Sequence, residues 1–375
     1  MAIDKITTAS ITDANITTAK LASGAVPNQS AFKNIIINGD MSLAQRATSA
    51  SSLTGNGYHT VDRFQTVISS IGTWTQTQST DVPTGQGFAK SLKMDCTTAD
   101  ASPASGDNMY IRQEIEGQNL QYLKKGTSSA ESTTLSFWVK SNKTGTYIAE
   151  LYDFDNSRQI SQAYTISSAN TWEKKTLTYA GDTTGAFGND NNQSLSCTFW
   201  LGAGSNFTSG TLSTSWSSVT NANRAVGQVN LADSTSNEWY VTGVQLEAGT
   251  SASDFEFLPF DVNLGRCQRY FFLMCRGDQL DVGAGGYYNS GQIFCEVPLP
   301  VTMRTTPSLV ATSGTNYYRM FGNNTNDPFD ALQLGGGQST LMQVYQTTGI
   351  SGTTGVAGWL RTNNASASVA AESEL

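Results

Sequence analysis

Two pairs of carboxylates, Glu114 with Glu116 and Asp153 with Asp155, stand two residues apart in segments that read as strands. A glycosidase needs one carboxyl group as acid and a second as base or nucleophile across the scissile bond. Residues i and i+2 share a strand face, but ordinary surface charges do so as well. His59 is the only histidine, which argues against a histidine metal site or a Ser-His-Asp triad. Cys96, Cys197, Cys267, Cys275 and Cys295 form an odd set without a C-x-x-C pair and are expected to be free, mostly buried thiols. These residues point away from hydrolysis, and no cofactor is expected.

Binding chemistry is better represented. Strand alternation puts Leu135, Phe137 and Val139 on one face and Ser136, Trp138 and Lys140 on the other. By the same rule Met109, Ile111 and Ile115 point inward while Tyr110, Arg112, Glu114 and Glu116 point outward. Glu150 and Tyr152 share a face with Ile148, and Trp200 opposes Phe199 and Leu201. If these strands lie in one sheet, Tyr110, Arg112, Glu114, Trp138, Glu150, Tyr152 and Trp200 form a face of aromatic rings among charged groups. A pyranose suits such a face: its C–H surface stacks on a ring, and its hydroxyls meet arginine and carboxylate. The alternative is that the same face packs against a neighbouring chain. Toward the carboxy terminus, Tyr287-Tyr288-Asn289, Tyr317-Tyr318-Arg319, Phe329 and Trp359 are the alternative candidates for receptor contact. Arg276-Gly277-Asp278 reads as a turn.

The elements that must hold these residues are short strands. Only 14% of the chain is charged, and Gly, Ser, Thr and Asn crowd the intervals between runs rich in Val, Ile, Tyr, Phe and Trp. That composition reads as all-β. Strands are expected at 34–38, 61–68, 88–95, 108–116, 133–140, 146–153, 172–179, 195–202 and 238–247, with one helical turn near 117–124 as the sole exception. Many short strands with turn signals predict a two-sheet sandwich or jelly roll over residues 33–264, which hold six of the seven tryptophans. Residues 265–375, opening on Arg269-Tyr270-Phe271-Phe272-Leu273-Met274, are expected to form a smaller β domain.

Residues 1–32 follow another rule. Ile6, Ile11, Ile16, Leu21 and Val26 recur every five residues, a period that suits neither a helix nor a half-buried strand. A pentapeptide solenoid would need more repeats than this to bury a stacked core. The remaining reading is an extended leader whose anchors meet those of sister chains around a three-fold axis, which makes the assembly a homotrimer.

The net charge of −8 and the absence of lysine after Lys175 leave no basic patch for a phosphate backbone, so nucleic acid is not an expected partner. No run of ~18 apolar residues exists, and residues 1–20 hold no block like that of a signal peptide. A soluble protein made in the cytosol, without membrane insertion, is expected.

Three stretches carry a family resemblance. They are Asn34-Ile35-Ile36-Ile37-Asn38-Gly39-Asp40-Met41 with Gln45-Arg46 and Gly57-Tyr58-His59-Thr60-Val61-Asp62-Arg63-Phe64; Leu135-Ser136-Phe137-Trp138-Val139-Lys140-Ser141 with Thr144-Gly145-Thr146-Tyr147; and Val244-Gln245-Leu246-Glu247-Ala248-Gly249-Thr250 with Phe255, Pro259 and Arg266-Cys267-Gln268-Arg269-Tyr270-Phe271. Together they resemble the tail fibre or receptor-binding proteins of tailed bacteriophages whose central module is similar to jelly-roll carbohydrate-binding modules. The segments 297–307 and 371–375 also look like phage fibre tips. The resemblance implies a homotrimeric virion protein attached to the tail, baseplate or an adaptor by residues 1–32, binding a host surface polysaccharide such as lipopolysaccharide without cleaving it. It also places Asp40 and Glu247 where related-looking jelly rolls hold a structural calcium, although the usual acidic neighbours are incomplete. Two rivals stand beside it: a tailspike depolymerase, and a purely structural virion component such as a fibre collar or capsid decoration.

Overall fold

The structure is a computed structural model, and it describes residues 32–375. The pentad leader with Ile6, Ile11, Ile16, Leu21 and Val26 lies outside the described residues. What is described is all-β, in two stacked pairs of sheets.

The first sheet has six antiparallel strands in the order Ser49–Leu53, Thr73–Ser79, Ser91–Thr98, Glu238–Ala248, Thr133–Ser141 and Glu173–Tyr179. The second has seven, in the order Ser217–Ser218, Arg158–Ile166, Gly145–Asp153, Gln193–Ala203, Asn108–Glu116, Gln65–Ser69 and Gly57–Tyr58. Their inner faces close over one core, where Leu92, Leu135, Phe137, Val139 and Trp239 of the first sheet meet Ile111, Leu151, Ile160 and Phe199 of the second. Phe137 packs edge-on against Phe199 at 5.0 Å between centroids. The interdigitation of alternate residues from both sheets is what defines a sandwich core.

Several strands differ from expectation. Residues 34–38 form no strand. The three isoleucines are buried as their hydrophobicity demands; Ile35 N donates to the Leu246 backbone oxygen at 2.9 Å, whereas Ile36 and Ile37 are met by side-chain amides. Asn34 Oδ1 accepts from Ile36 N and Leu246 N, and Gln113 both accepts from Ile37 N at 2.7 Å and donates to Ile37 O at 2.8 Å. The Gln113 amide thereby stands in for a missing ladder strand. Residues 61–64 are a turn with Arg63 at φ 72°, so the predicted strand 61–68 begins only at Gln65. Ser49–Leu53, Thr73–Ser79 and Arg158–Ile166 are strands that apolar patterning did not expose, because polar residues are buried in them, Gln76 on an inward face and Ser161 on an outer face that the crossover covers. The turn near 117–124 is a pair of 3-10 turns, and the helices Ser205–Thr208 and Phe260–Gln268 are additional exceptions to the all-strand expectation.

Helix Phe260–Gln268 leads into a second unit. A three-stranded sheet, Phe271–Arg276, Ser368–Glu372 and Ser308–Ala311, packs on a seven-stranded one ordered Thr325–Phe329, Tyr318–Gly322, Ala357–Thr362, Asp281–Asn289, Gln292–Pro298, Leu341–Gln346 and Gln333–Gln338. Cys275, Val369 and Ala371 of the small sheet share a core with Ile293, Val344 and Leu360 of the large one.

The seam between the two units joins a small apolar cluster of Ile37, Leu43, Cys267 and Tyr270 to a set of polar ties. Gln45 takes its N–H and its side-chain amide to the Asp62 carboxylate at 2.9 and 2.7 Å, donates to Phe271 O at 2.8 Å and accepts from Leu273 N. Arg46 reaches Glu372 at 2.7 Å, and both Arg46 and Arg63 engage Glu374. Much of the Gln45-Arg46 and Asp62-Arg63 motif is therefore a clamp on the distal unit.

Candidate functional site

The register of the second sheet brings most of the predicted face together. Tyr110 pairs with Trp200, Thr198 sits between Arg112 and Glu150, and Ser196 sits between Glu114 and Tyr152. Trp138 does not join them, because its strand belongs to the first sheet. Local alternation fixes which way a side chain points but not which sheet its strand enters.

This face is largely covered. The crossover through residues 204–230 lies over it, with Phe207 5.4 Å from the Trp200 ring. Trp200 and Glu150 are both 0% exposed. The Trp200 indole donates to Glu150 at 3.0 Å, and the Arg224 guanidinium grips the same carboxylate at 2.8 and 2.9 Å. Arg224 also covers the Tyr152 ring at 4.9 Å. Arg112 lies 2.6 Å from the buried Glu114 carboxylate and donates to Gln65. Burial pushes the Glu114 carboxyl up, partly offset by Arg112 and Arg63. The Glu150 carboxylate and the Trp200 indole that were to meet sugar hydroxyls are thus used by protein partners, while Glu114 is buried with the Arg112 ion pair at one oxygen, and separating such a buried pair leaves an uncompensated charge.

Trp138 instead lines an open groove on the outer face of the first sheet. The groove has a volume of about 340 Å³ and is lined by Gly85, Gln86, Phe88, Ser136, Trp138, Lys174, Gly243, Asp254, Phe255 and Phe257. Trp138 lies between Lys174 and Thr242 across its neighbouring strands. Three phenylalanines make the wall: Phe88 stands 5.1 Å from both Phe255 and Phe257, which are 4.8 Å apart. Glycine makes this packing possible at Gly243, where φ is +62° and a Cβ would lie 2.5 Å from the Phe88 ring. Phe257 is 51% exposed. Lys174 is exposed and has no carboxylate partner among the described residues. Farther along the same face Lys140 sits 4.2 Å from the Tyr240 ring and pairs with Asp81, which also accepts from the Trp172 indole at 2.9 Å. The result is an aromatic trough with a few hydrogen-bonding groups at its rim and one carboxylate, Asp254.

Neither sequence-adjacent carboxylate pair faces a cleft as a pair. Glu116 is held by both prongs of Arg269 at 2.7 Å, by the Tyr270 hydroxyl and by Gln118. Burial acts to raise its carboxyl, but these donors outweigh it and hold Glu116 below the usual range. Asp153 is buried against Lys125 at 2.6 Å, while Asp155 accepts from Gly188 N.

Comparisons with known proteins add fold neighbours. No family model matches the sequence, and no curated protein is similar to it. Among solved structures, the enzymatically active domain of tailspike protein 4 of Bacteriophage CBA120 is 17% identical, with 58% of this chain and 21% of that one covered at a TM-score of 0.30. A family 4 carbohydrate-binding module is 11% identical over 56% of this chain and 97% of its own, at 0.28. A putative sugar-binding protein from Bacteroides thetaiotaomicron is 13% identical over 57% and 99%, at 0.30. This chain therefore spans about a fifth of the tailspike domain.

The distal set divides. Tyr318 is buried, donating to Thr312 O at 2.6 Å and Ser368 O at 3.0 Å, and Tyr287 is buried beside Asp327. Tyr317 is half-buried. Tyr288 and Trp359, at 69% and 52% exposure, stand on the outer face of the seven-stranded sheet.

The suggested calcium residues do not form a cation cage. Glu247 is buried and its oxygens accept from Gln245 Nε2, Ser253 N and Ser253 Oγ at 2.9, 2.8 and 2.7 Å. Asp40 accepts from Ser42 Oγ at 3.1 Å. No group of three or more His, Cys, Asp or Glu able to hold a metal occurs among the described residues. In the Arg-Gly-Asp word, Gly277 takes φ +124° in a bend, and Arg276 donates to the backbone oxygen of Arg46. No helix among the described residues is long and apolar enough to cross a membrane.

Sequence reasoning picked out Trp138 but not Phe88, Phe257 or Lys174. A signal was present in Phe255-Glu256-Phe257, which puts two rings on one side of an extended segment bordered by turn residues.

Proposed function

We propose that this chain is a non-enzymatic tail fibre protein of a tailed bacteriophage that binds a host surface glycan through the Trp138 groove. The observation that carries this is the open aromatic trough with polar rim groups and a single carboxylate. Trp138 and Phe257 supply ring faces for pyranose C–H groups, while Lys174, Gln86, Ser136 and Asp254 meet hydroxyls or acidic substituents. Hydrolysis by the usual mechanism needs two carboxyl groups flanking one bond.

In this reading residues 1–32 attach the fibre to the tail or an adaptor and join three chains. Residues 33–264 are the sugar-binding body and residues 265–375 the distal unit, and lipopolysaccharide or a related polysaccharide is the receptor. Three weak sites per fibre would then act together on a repetitive surface.

Calorimetric titration of the purified protein with host polysaccharide tests the proposal. Trp138→Ala is expected to weaken binding about five- to a hundredfold, since stacking on an aromatic side chain contributes on the order of 1–3 kcal/mol. Release of oligosaccharide during the incubation would favour the depolymerase. Retained affinity in Trp138→Ala would remove the groove from consideration, and absence of binding by saturating wild-type protein would favour a purely structural virion role.

A further inference from the structure

The seven-stranded distal sheet buries only one face. Ile293, Cys295, Val344 and Leu360 point into the core beneath it. On the opposite face the register aligns Phe321 with Trp359, Trp359 with Ala284, and Ala284 with Glu296. In the adjoining row Gly286 stands beside Phe294, which pairs with Tyr345.

This is not the composition of an ordinary solvated sheet face. Trp359 and Tyr288 project at 52% and 69% exposure, Tyr288 packs edge-on to Phe294 at 5.6 Å, and Phe294 stacks on Tyr345 at 5.7 Å. Lysine is missing from this whole unit. Enrichment in aromatics and arginine with depletion of lysine distinguishes the centre of a protein interface.

Charge and shape say what meets it. Arg319 leaves Nε buried without a hydrogen-bond partner, and the exposed Glu296 carboxylate makes no ion pair or hydrogen bond among the described residues. Their strands are separated by two others, about 14 Å at ordinary strand spacing, so the two groups do not meet within one chain. Between chains they can. Ala284 and Gly286 leave a low strip in the same face as the projecting Trp359 ring, so the surface carries both a knob and a receiving hollow. Seven strands about 4.8 Å apart and five to nine residues long present on the order of 700 Å² per copy, close to the roughly 800 Å² per partner of a standard interface.

We propose that this face is where copies of the chain meet, with the Trp359 knob of one copy seated on the strip of another and Arg319 of one facing Glu296 of the next. The assignment is independent of the glycan groove, which lies on the other unit.

Light scattering of the full chain at micromolar concentration, with and without Trp359→Glu, tests it together with photo-crosslinking from a benzophenone on Tyr288→Cys. The five native cysteines are buried, so labelling reports the introduced thiol alone. An oligomer whose dissociation constant rises at least about tenfold in Trp359→Glu, as for loss of a central aromatic anchor, with crosslinks mapping to residues 281–296 or 357–361 of a second chain, supports the proposal. A monomeric wild type, an oligomer indifferent to Trp359→Glu, or crosslinks confined to one chain overturns it. So does loss of polysaccharide binding in Trp359→Glu at unchanged mass, which would make the face a receptor surface. The Trp138→Ala titration reads the groove separately in every case.

Discussion

Arg269 and Glu116, 153 residues apart in sequence, meet in a two-pronged ion pair with both N–O distances at 2.7 Å. Glu116 ends a strand of the sandwich and Arg269 follows the helix that leads into the distal unit, so the pair ties the two units where the chain passes between them. Its carboxylate is fully buried, and removing one partner of a buried pair leaves an uncompensated charge. Arg269→Ala should therefore lower stability by about 2–4 kcal/mol, measured by urea unfolding, with protease cleavage appearing first near residues 259–270. Glu116→Gln, which leaves unpaired only the Arg269 guanidinium, at 27% side-chain exposure against 0% for Glu116, should cost less.

The groove depends on backbone as much as on rings. Gly243 sits at +62° with the Phe88 ring where a Cβ would go. Gly243→Ala should displace Phe88, destabilise the sandwich by about 1–3 kcal/mol, and weaken glycan binding. Phe257→Ala, at a half-exposed ring, should weaken binding with a stability change within about 0.5 kcal/mol. Equal loss of stability in the two variants would contradict the division between scaffold and contact.

Asp62 gives the seam a pH dependence. Burial pushes its carboxyl up to about 6, against an ordinary 3.8, while the hydrogen bonds from Gln45 act the other way. Between these two values the folded state binds more protons than the unfolded one, so the Asp62 contribution to stability is present below about pH 4 and is lost as pH rises through about 6. The full change is on the order of 3 kcal/mol. Asp62→Asn removes the titration. The stability difference between this variant and wild type, measured by urea unfolding at several pH values, should shift toward the variant from pH 4 to 7, whatever constant offset the amide adds. A flat difference would mean Asp62 is ionised throughout.

How far the fold was legible follows from where the signals are local. Clean alternation, as in 109–116 and 135–140, correctly separated core from outer side chains. The strand Thr73–Ser79 escaped because Gln76 occupies an inward place, where it is satisfied by Thr60 and Thr66. Three consecutive isoleucines at 35–37 announced burial but not conformation, since the amides of Asn34 and Gln113 replace a strand partner. The grouping of Trp138 with Tyr110 and Trp200 failed for a different reason. Sheet membership is decided by long-range pairing, and nothing within residues 133–141 encodes it. Coverage of the Trp200 face by residues 204–230 was likewise invisible, because that segment is a polar, turn-rich run whose few apolar residues, Phe207 among them, are widely spaced.

The cysteines offer a prediction that tests the packing directly. All five are free and buried. Burial pushes the Cys96 thiol up to about 11 and Cys197 and Cys295 up to about 12, so the thiolate that alkylating reagents require is scarce at pH 8 even where a reagent could enter. The folded protein should therefore take up no iodoacetamide over hours at pH 8 and five equivalents after unfolding in guanidinium, as counted by mass spectrometry. Urea concentrations that open only one unit should reveal its thiols alone: Cys275 and Cys295 for the distal unit, Cys96 and Cys197 for the sandwich, with Cys267 in the seam reporting their separation. Labelling of Cys267 together with Cys275 and Cys295, before Cys96 and Cys197, would show that the distal unit opens first and takes the seam with it. Simultaneous exposure of all five would show that the Arg269–Glu116 and Arg46–Glu372 ties make the two units unfold as one.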